Sequence, residues 1–229
     1  MIKQNNTTLT YTGVDESFLA RFFALDENYE NITTTLARDT LVKKCIHDYF
    51  GLRIMRQDPW QCLIGFLCSS ASNIPRITNN IESIAQHFGR RIDHEGKTHY
   101  LFPNPGDINN EEKLAKCKLG FRQKYILTAN TFVTDTWLSR LKRYSYAKAR
   151  EKLMQIPGIA EKIADCVLLF SLGFHEAFPV DTHIKNIMER NYLHKTTPLK
   201  HIAEFGQTHF SPYAGYAQQF LYHAQRNSQ

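Results

Sequence analysis

Residues 145–172, centred on LMQIPGIAEKIADC, constrain the fold more than any other stretch of this chain. An apolar, helix-favouring run halts at Pro157-Gly158, and a second one resumes two residues later, so two helices must be joined by a tight hairpin. Gly158 lets the backbone approach a partner closely, and the free N–H groups opening the second helix present the positive end of its dipole. Together they suit a phosphate, although a plain helix corner accounts for the turn equally well.

Along the second helix Lys162, Cys166 and Phe170 recur every four residues on one face, leaving Ile163, Val167 and Leu168 for the core. A lone helical lysine is ordinarily a solvated charge. One that shares a stripe with a thiol and an aromatic ring is partly desolvated, which favours the neutral amine that can attack carbon. The segment FHEAFPVDTHI follows, with Asp181 at an N-cap position nineteen residues after Lys162. It reads first as a helix cap and second as a carboxylate available to a site.

The rest of the chain reads as all-α. Asp58-Pro59 opens a helix through WQCLIGFLCSS, and another is expected from about Ile74 to Phe88, stopped by Gly89. Residues 90–107 are turn-rich, with a hairpin expected at Glu95-Gly96. Further helices are expected at about 110–118, 121–133, 135–142, 145–155, 160–172, 182–191 and 198–209, with a last one from Ser211-Pro212 to about Gln225. TTLTYTG near the N-terminus is a weak strand candidate. The expected organisation is a residual strand region at 1–15 and a core of two helical subdomains at 16–229, divided near the 90–107 loop.

The formal net charge of the 229 residues is +6, which suits a polyanionic partner without requiring one. No apolar run reaches the roughly 18 residues of a membrane span, and no signal-peptide core follows Met1, so the protein is expected to work inside a cell. The five cysteines (45, 62, 68, 117 and 166) contain no CxxC pair, and neither a zinc site nor a disulfide framework is indicated.

Taken with RQDPWQCLIGFLCSS, NIPRIT, LGFRQKYI and SPYAGYAQ, the segments IPGIAEKIADC and PVDTHI resemble, in order, the helix-hairpin-helix (HhH-GPD) DNA glycosylases, and among them the eukaryotic-type 8-oxoguanine DNA glycosylases. The resemblance runs from about Leu52 to Gln225. It implies a bifunctional glycosylase and AP lyase that removes 8-oxoguanine opposite cytosine from double-stranded DNA, with the chain acting as a monomer. Lys162 would be the nucleophile and Asp181 its electrostatic partner, while Cys166, Phe170, Gln218 and Tyr222 line the pocket for the extruded base. Phe121 falls on the wedge position, Arg76 and Arg122 on the positions that grip the orphaned cytosine, Gly158 in the phosphate-binding hairpin, and His183 on a phosphate contact. No cofactor or metal is required, and a monovalent cation is at most expected on the hairpin carbonyls. The segments 116–124 and 141–152 concentrate basic residues beside the wedge and hairpin.

The chain also departs from that pattern. Only something like the last strand of the family's N-terminal β-domain is recognisable, and with that domain goes the carbonyl that senses the N7 proton of 8-oxoguanine. Ala71 stands where the family has a gap-filling asparagine. Other readings are a related glycosylase for another oxidised or alkylated base and a non-catalytic helix-hairpin-helix DNA-binding module, the latter having no use for the Lys162–Asp181 pair.

Overall fold

The computed structural model describes residues 2–94 and 96–227. Ile2–Asn5 (β1) and Thr8–Tyr11 (β2) form an antiparallel hairpin with Ile2 opposite Tyr11. The strand expected at TTLTYTG is therefore one of two, and both are largely exposed; neither face meets a core, which is why alternation there is weak. Three short helices follow: α1 (Glu16–Phe22), α2 (Tyr29–Leu36) and α3 (Thr40–Asp48). Each is opened by a side-chain oxygen that accepts from a first-turn amide: Asp15 from Phe18 (2.6 Å), Asn28 from Asn31 (3.0 Å) and Asp39 from Val42 (2.9 Å).

Helices α4 (Pro59–Ser69) and α5 (Ile74–Phe88) have the expected bounds, each with a capping side chain and a proline in its first turn. Gly89 does end α5, but at φ −84° it is not a left-handed cap. A Cβ there would collide with the Leu101 carbonyl oxygen, so the glycine admits a close backbone approach. Arg91–His94 (β3) and Lys97–Tyr100 (β4) pair as the expected hairpin; Glu95 of its turn lies outside the described residues.

Then come α6 (Glu111–Ala115), a 3-10 turn at Gly120–Arg122 leading into α7 (Gln123–Phe132), α8 (Asp135–Leu141) and α9 (Tyr146–Met154). Two expected helices are divided. α10 (Glu161–Val167) widens into a π turn at Leu168–Leu172, and α11 (Thr182–Met188) into another at Glu189–Leu193. Helices α12 (Leu199–His209) and α13 (Ala214–Asn227) complete the chain.

One apolar core runs from Tyr29 to Leu221. α4 is buried on most sides and packs on α5 and α10, while α13 packs on α3, α11 and α12. Three buried or half-buried polar groups pin these layers. Asp165 accepts from Tyr146 Oη (2.6 Å) and Arg150 Nε (2.8 Å), tying α10 to α9. Asp39 accepts from Tyr192 Oη (2.9 Å) and pairs with His209 (3.0 Å). Glu27 meets Tyr216 Oη (2.6 Å), Arg56 (2.9 Å) and His175 (3.2 Å). Burial pushes the Glu27 carboxyl up, but hydrogen bonds from His175 and Tyr216, with Arg56 beside them, outweigh it and hold its pKa at about 2.

Candidate active site

The helical repeat of α10 brings Lys162, Cys166 and Phe170 onto one wall of a cavity of about 180 Å³. Gln218 and Tyr222, also four residues apart, form the facing wall from α13, and Pro179 and Asp181 close the side between them. Phe66 of α4, which the sequence reading does not single out, completes the lining: its ring stacks on Phe170 (5.7 Å, 18°), and Lys162 Nζ lies 5.1 Å from its centroid. The lysine head is thus held over an aromatic face while its helix is packed in the core.

Lys162, Asp181 and Tyr222 line a second depression as well, a groove of about 1150 Å³ that extends from the Ser69–Ile77 region past Thr182 and His183 to Leu199 and Arg226. The amine and the carboxylate therefore stand where a small pocket meets a larger surface groove. Asp181 caps α11 through Oδ1, which accepts from Ile184 N (2.8 Å), so Oδ2 is the oxygen left for the cavity. Of the carboxylates near Lys162 in sequence, Glu161 pairs with Arg150 (3.6 Å), and Asp165 is 1% exposed and committed to Tyr146 and Arg150; neither lines the pocket.

Cys166 is buried, and burial pushes its thiol up to about 12, with nearby Lys162 offsetting only part of this. It stays a neutral, soft wall and is no competing nucleophile. Gln218 is 4% exposed and fixed at both ends: Nε2 donates to the Pro179 carbonyl (3.1 Å) and Oε1 accepts from Gln219 Nε2 (2.6 Å). That bond ties α13 to the loop that carries Asp181. His183 is exposed on α11, its ring edge-on to Tyr222 (5.9 Å, 86°) at the groove.

Around the groove the expected residues divide. Phe121 is 54% exposed on its 3-10 turn, and Arg76 is exposed near the start of α5. Arg122 is not. It is 2% exposed, with Nε on the Ser70 carbonyl (2.7 Å) and its terminal nitrogens on Leu119 (2.7 Å) and Ala71 (2.8 Å). Two of these bonds tie the Ser70-Ala71 rim to the turn that bears Phe121 and the third closes that turn on Leu119, whereas the resemblance puts Arg122 on a position that grips the orphaned cytosine. Ala71 adopts φ +48°, and the Ser72 hydroxyl beside it is buried without a hydrogen-bond partner.

Gly158 has φ +90°, and a Cβ would collide with Tyr125 Cγ and lie 2.7 and 2.9 Å from Cδ1 and Cβ of that ring. Glycine is required here by conformation and by contact. Since Tyr125 also packs edge-on against Phe121 (6.3 Å, 82°), its ring is a strut between the hairpin and the Phe121 turn. The first turn of α10 has no side-chain cap, so its amides are left for an external acceptor.

What folds and sites of this kind belong to is answered by comparison. The model of the N-terminal domain of 8-oxoguanine DNA glycosylases matches residues 2–63, including the short strands and α1 to α3. N-glycosylase/DNA lyase OGG1 of Arabidopsis thaliana is 38% identical over 198 residues, 78% of this chain and 53% of that protein. The chain spans about half the length of the curated relatives it matches. The 8-oxoguanine glycosylase/lyase of Clostridium acetobutylicum, solved with double-stranded DNA containing cytosine opposite 8-oxoG, superposes with a TM-score of 0.92 at 31% identity over 100% of this chain and 82% of that one. MBOgg1, solved with a low affinity DNA ligand, gives 0.93 at 35% over 99% and 81%. With sequence identity and backbone agreeing over nearly the whole chain, this protein belongs to the 8-oxoguanine DNA glycosylase family.

Proposed function

We propose that the protein is a bifunctional DNA glycosylase and AP lyase that removes 8-oxoguanine from double-stranded DNA, preferentially opposite cytosine. The observation that carries this reading is the placement of the Lys162 amine and the Asp181 carboxylate at the junction of a small pocket and a larger groove. A base inside a duplex is out of reach of any such pocket, so the nucleotide must be extruded, its base entering the cavity and its sugar stopping at the mouth. There the neutral amine of Lys162 attacks C1′: the N–C1′ bond forms as the bond to the base breaks, and the base leaves with the electron pair and takes a proton. Asp181 stabilises the positive charge that develops on the sugar and accepts the proton that the attacking amine sheds.

Opening of the sugar ring yields a Schiff base, which acidifies C2′; loss of that proton expels the 3′ phosphate and completes the lyase step. In the pocket, Phe170 and the Cys166 thiol offer a flat, uncharged wall, and the fixed Gln218 amide with Tyr222 offers hydrogen bonds and a stacking face. Phe121 fills the gap in the stack, Arg76 reads the orphaned cytosine, Arg122 supports both from beneath, and the Gly158 hairpin with His183 holds the phosphates. The chemistry runs on an amine and a carboxylate. A monovalent cation on the hairpin carbonyls is compatible with it. The test is borohydride trapping on duplexes carrying different lesions, wild type against Lys162→Gln. Trapping on 8-oxoguanine opposite cytosine is expected for the wild type alone; equal trapping of the variant would remove Lys162 from its role.

A further inference from the structure

A third depression lies on the far side of α5. It measures about 450 Å³ and is lined by Arg76, Asn79, Asn80 and Ser83 of α5 and by Lys116 and Lys118 of the α6–α7 connection. At 100° per residue, these α5 positions project opposite to Ile74, Pro75 and Ile77, which line the catalytic groove. No acidic side chain lines it, and its three cationic ones are exposed. At its floor Asn80 is 3% exposed. Its Nδ2 donates to the Cys117 carbonyl (2.7 Å), but its Oδ1 has no hydrogen-bond partner. A buried amide oxygen without a donor costs about 1–3 kcal/mol, so an occupant that supplies one is favoured. Lys118 is kept at φ +55°, where glycine would be cheaper.

We infer that this pocket binds a phosphodiester of the strand opposite the lesion. The inference rests on the function proposed above. A duplex presents two backbones; with the damaged strand in the groove and exposed Phe121 at the stack, the complementary backbone falls beyond the first turns of α5. Lys116 and Lys118 neutralise the phosphate, and a lysine ammonium or an ordered water donates to Asn80 Oδ1 while it donates to the phosphate. The hairpin and this pocket then hold the two strands on either side of the wedge.

The experiment compares wild type with Lys116→Gln/Lys118→Gln, both exposed positions, by salt titration of binding to a lesion duplex and to the lesion strand alone. On the duplex, the log–log salt slope of the variant should be shallower by about 0.9 for the one phosphate neutralised, roughly 8-fold in affinity between 1 M and 0.1 M salt. On the single strand the two proteins should bind alike. Neutral methylphosphonates in the complementary strand should bring wild type down to the variant and leave the variant unchanged. An unchanged duplex slope, or an equal loss on the single strand, overturns the assignment. Saturable binding of inorganic phosphate alone, abolished by the double substitution, would also overturn it by making free phosphate the ligand. Absence of any excision by wild type would instead overturn the proposed function, which the salt slopes do not touch.

Discussion

Arg122 offers the sharpest separation of a structural from a recognition role. Its guanidinium serves three carbonyls: that of Leu119 is buried, and those of Ser70 and Ala71 are half-buried. Truncation to alanine strips the buried carbonyl of its partner at about 2 kcal/mol, and the other two, which water can reach, at about 0.5–1 kcal/mol each. Two methylenes, Cγ and Cδ, leave the core at about 0.8 kcal/mol each. Partial collapse of the turn recovers some of this, and we expect a net loss of about 3–5 kcal/mol, a fall in Tm on the order of 10 °C for a chain of this size. Urea denaturation of wild type, Arg122→Ala, Arg122→Lys and Arg76→Ala measures it, with single-turnover excision opposite each of the four bases run in parallel. Arg76→Ala, at an exposed position, should stay within about 0.5 kcal/mol of wild type while flattening the opposite-base profile. Arg122→Lys should fall between wild type and alanine, because one ammonium cannot span three carbonyls. A loss below about 1 kcal/mol for Arg122→Ala, together with a flattened profile, would refute the reasoning by showing that this side chain leaves its carbonyls freely to read the base.

Asp181→Asn keeps the α11 cap, for which asparagine serves as well as aspartate, so stability should move by less than about 0.5 kcal/mol while excision slows by two or more orders of magnitude; a near-normal rate would leave Asp181 a cap alone. Gly158→Ala combines a left-handed φ with the Tyr125 collision and should cost about 2–4 kcal/mol and weaken duplex binding. Adding Tyr125→Ala should relieve the collision but not the φ strain, and strict additivity in that double-mutant cycle would argue against the strut. Because the Glu27 carboxyl titrates at about 2 when folded against an ordinary 4.5, its contribution is complete above pH 4.5 and is lost as pH falls from there through 2. Glu27→Gln should therefore be less stable than wild type at pH 7, with the difference shrinking over that acid window; a pH-independent difference would contradict it.

Much of the local structure was legible. The α4 and α5 bounds follow from Asp58-Pro59 and from the NIP motif, because caps and first-turn prolines act within four residues. The stripe of Lys162, Cys166 and Phe170, and the pairing of Gln218 with Tyr222, follow from the helical repeat alone, and all five residues line one cavity. Helices α1 to α3 carry N-cap residues Asp15, Asn28 and Asp39 but lack the first-turn proline that marks α4 and α5, and the π turns that close α10 and α11 leave no mark in a 3.6-residue periodicity.

Sequence by itself determined which residues share a face and, where a cap and a first-turn proline coincide as in α4 and α5, where a helix begins, since both depend on neighbours a few positions apart. Which face meets which was decided by the tertiary structure. Phe66 came over Lys162 only because α4 packs on α10, and the Gln218 amide reached Pro179 across 39 positions of sequence. Arg122 was expected, through the resemblance, at the orphaned cytosine, yet carbonyls 51 and 52 positions earlier take its fork into the interior. The same holds for the empty acceptor of Asn80 and for the Tyr125 ring over Gly158. A guanidinium, an amide or a ring is placed by whichever partners the packed core brings within 3 to 4 Å, and periodicity carries no record of those distances.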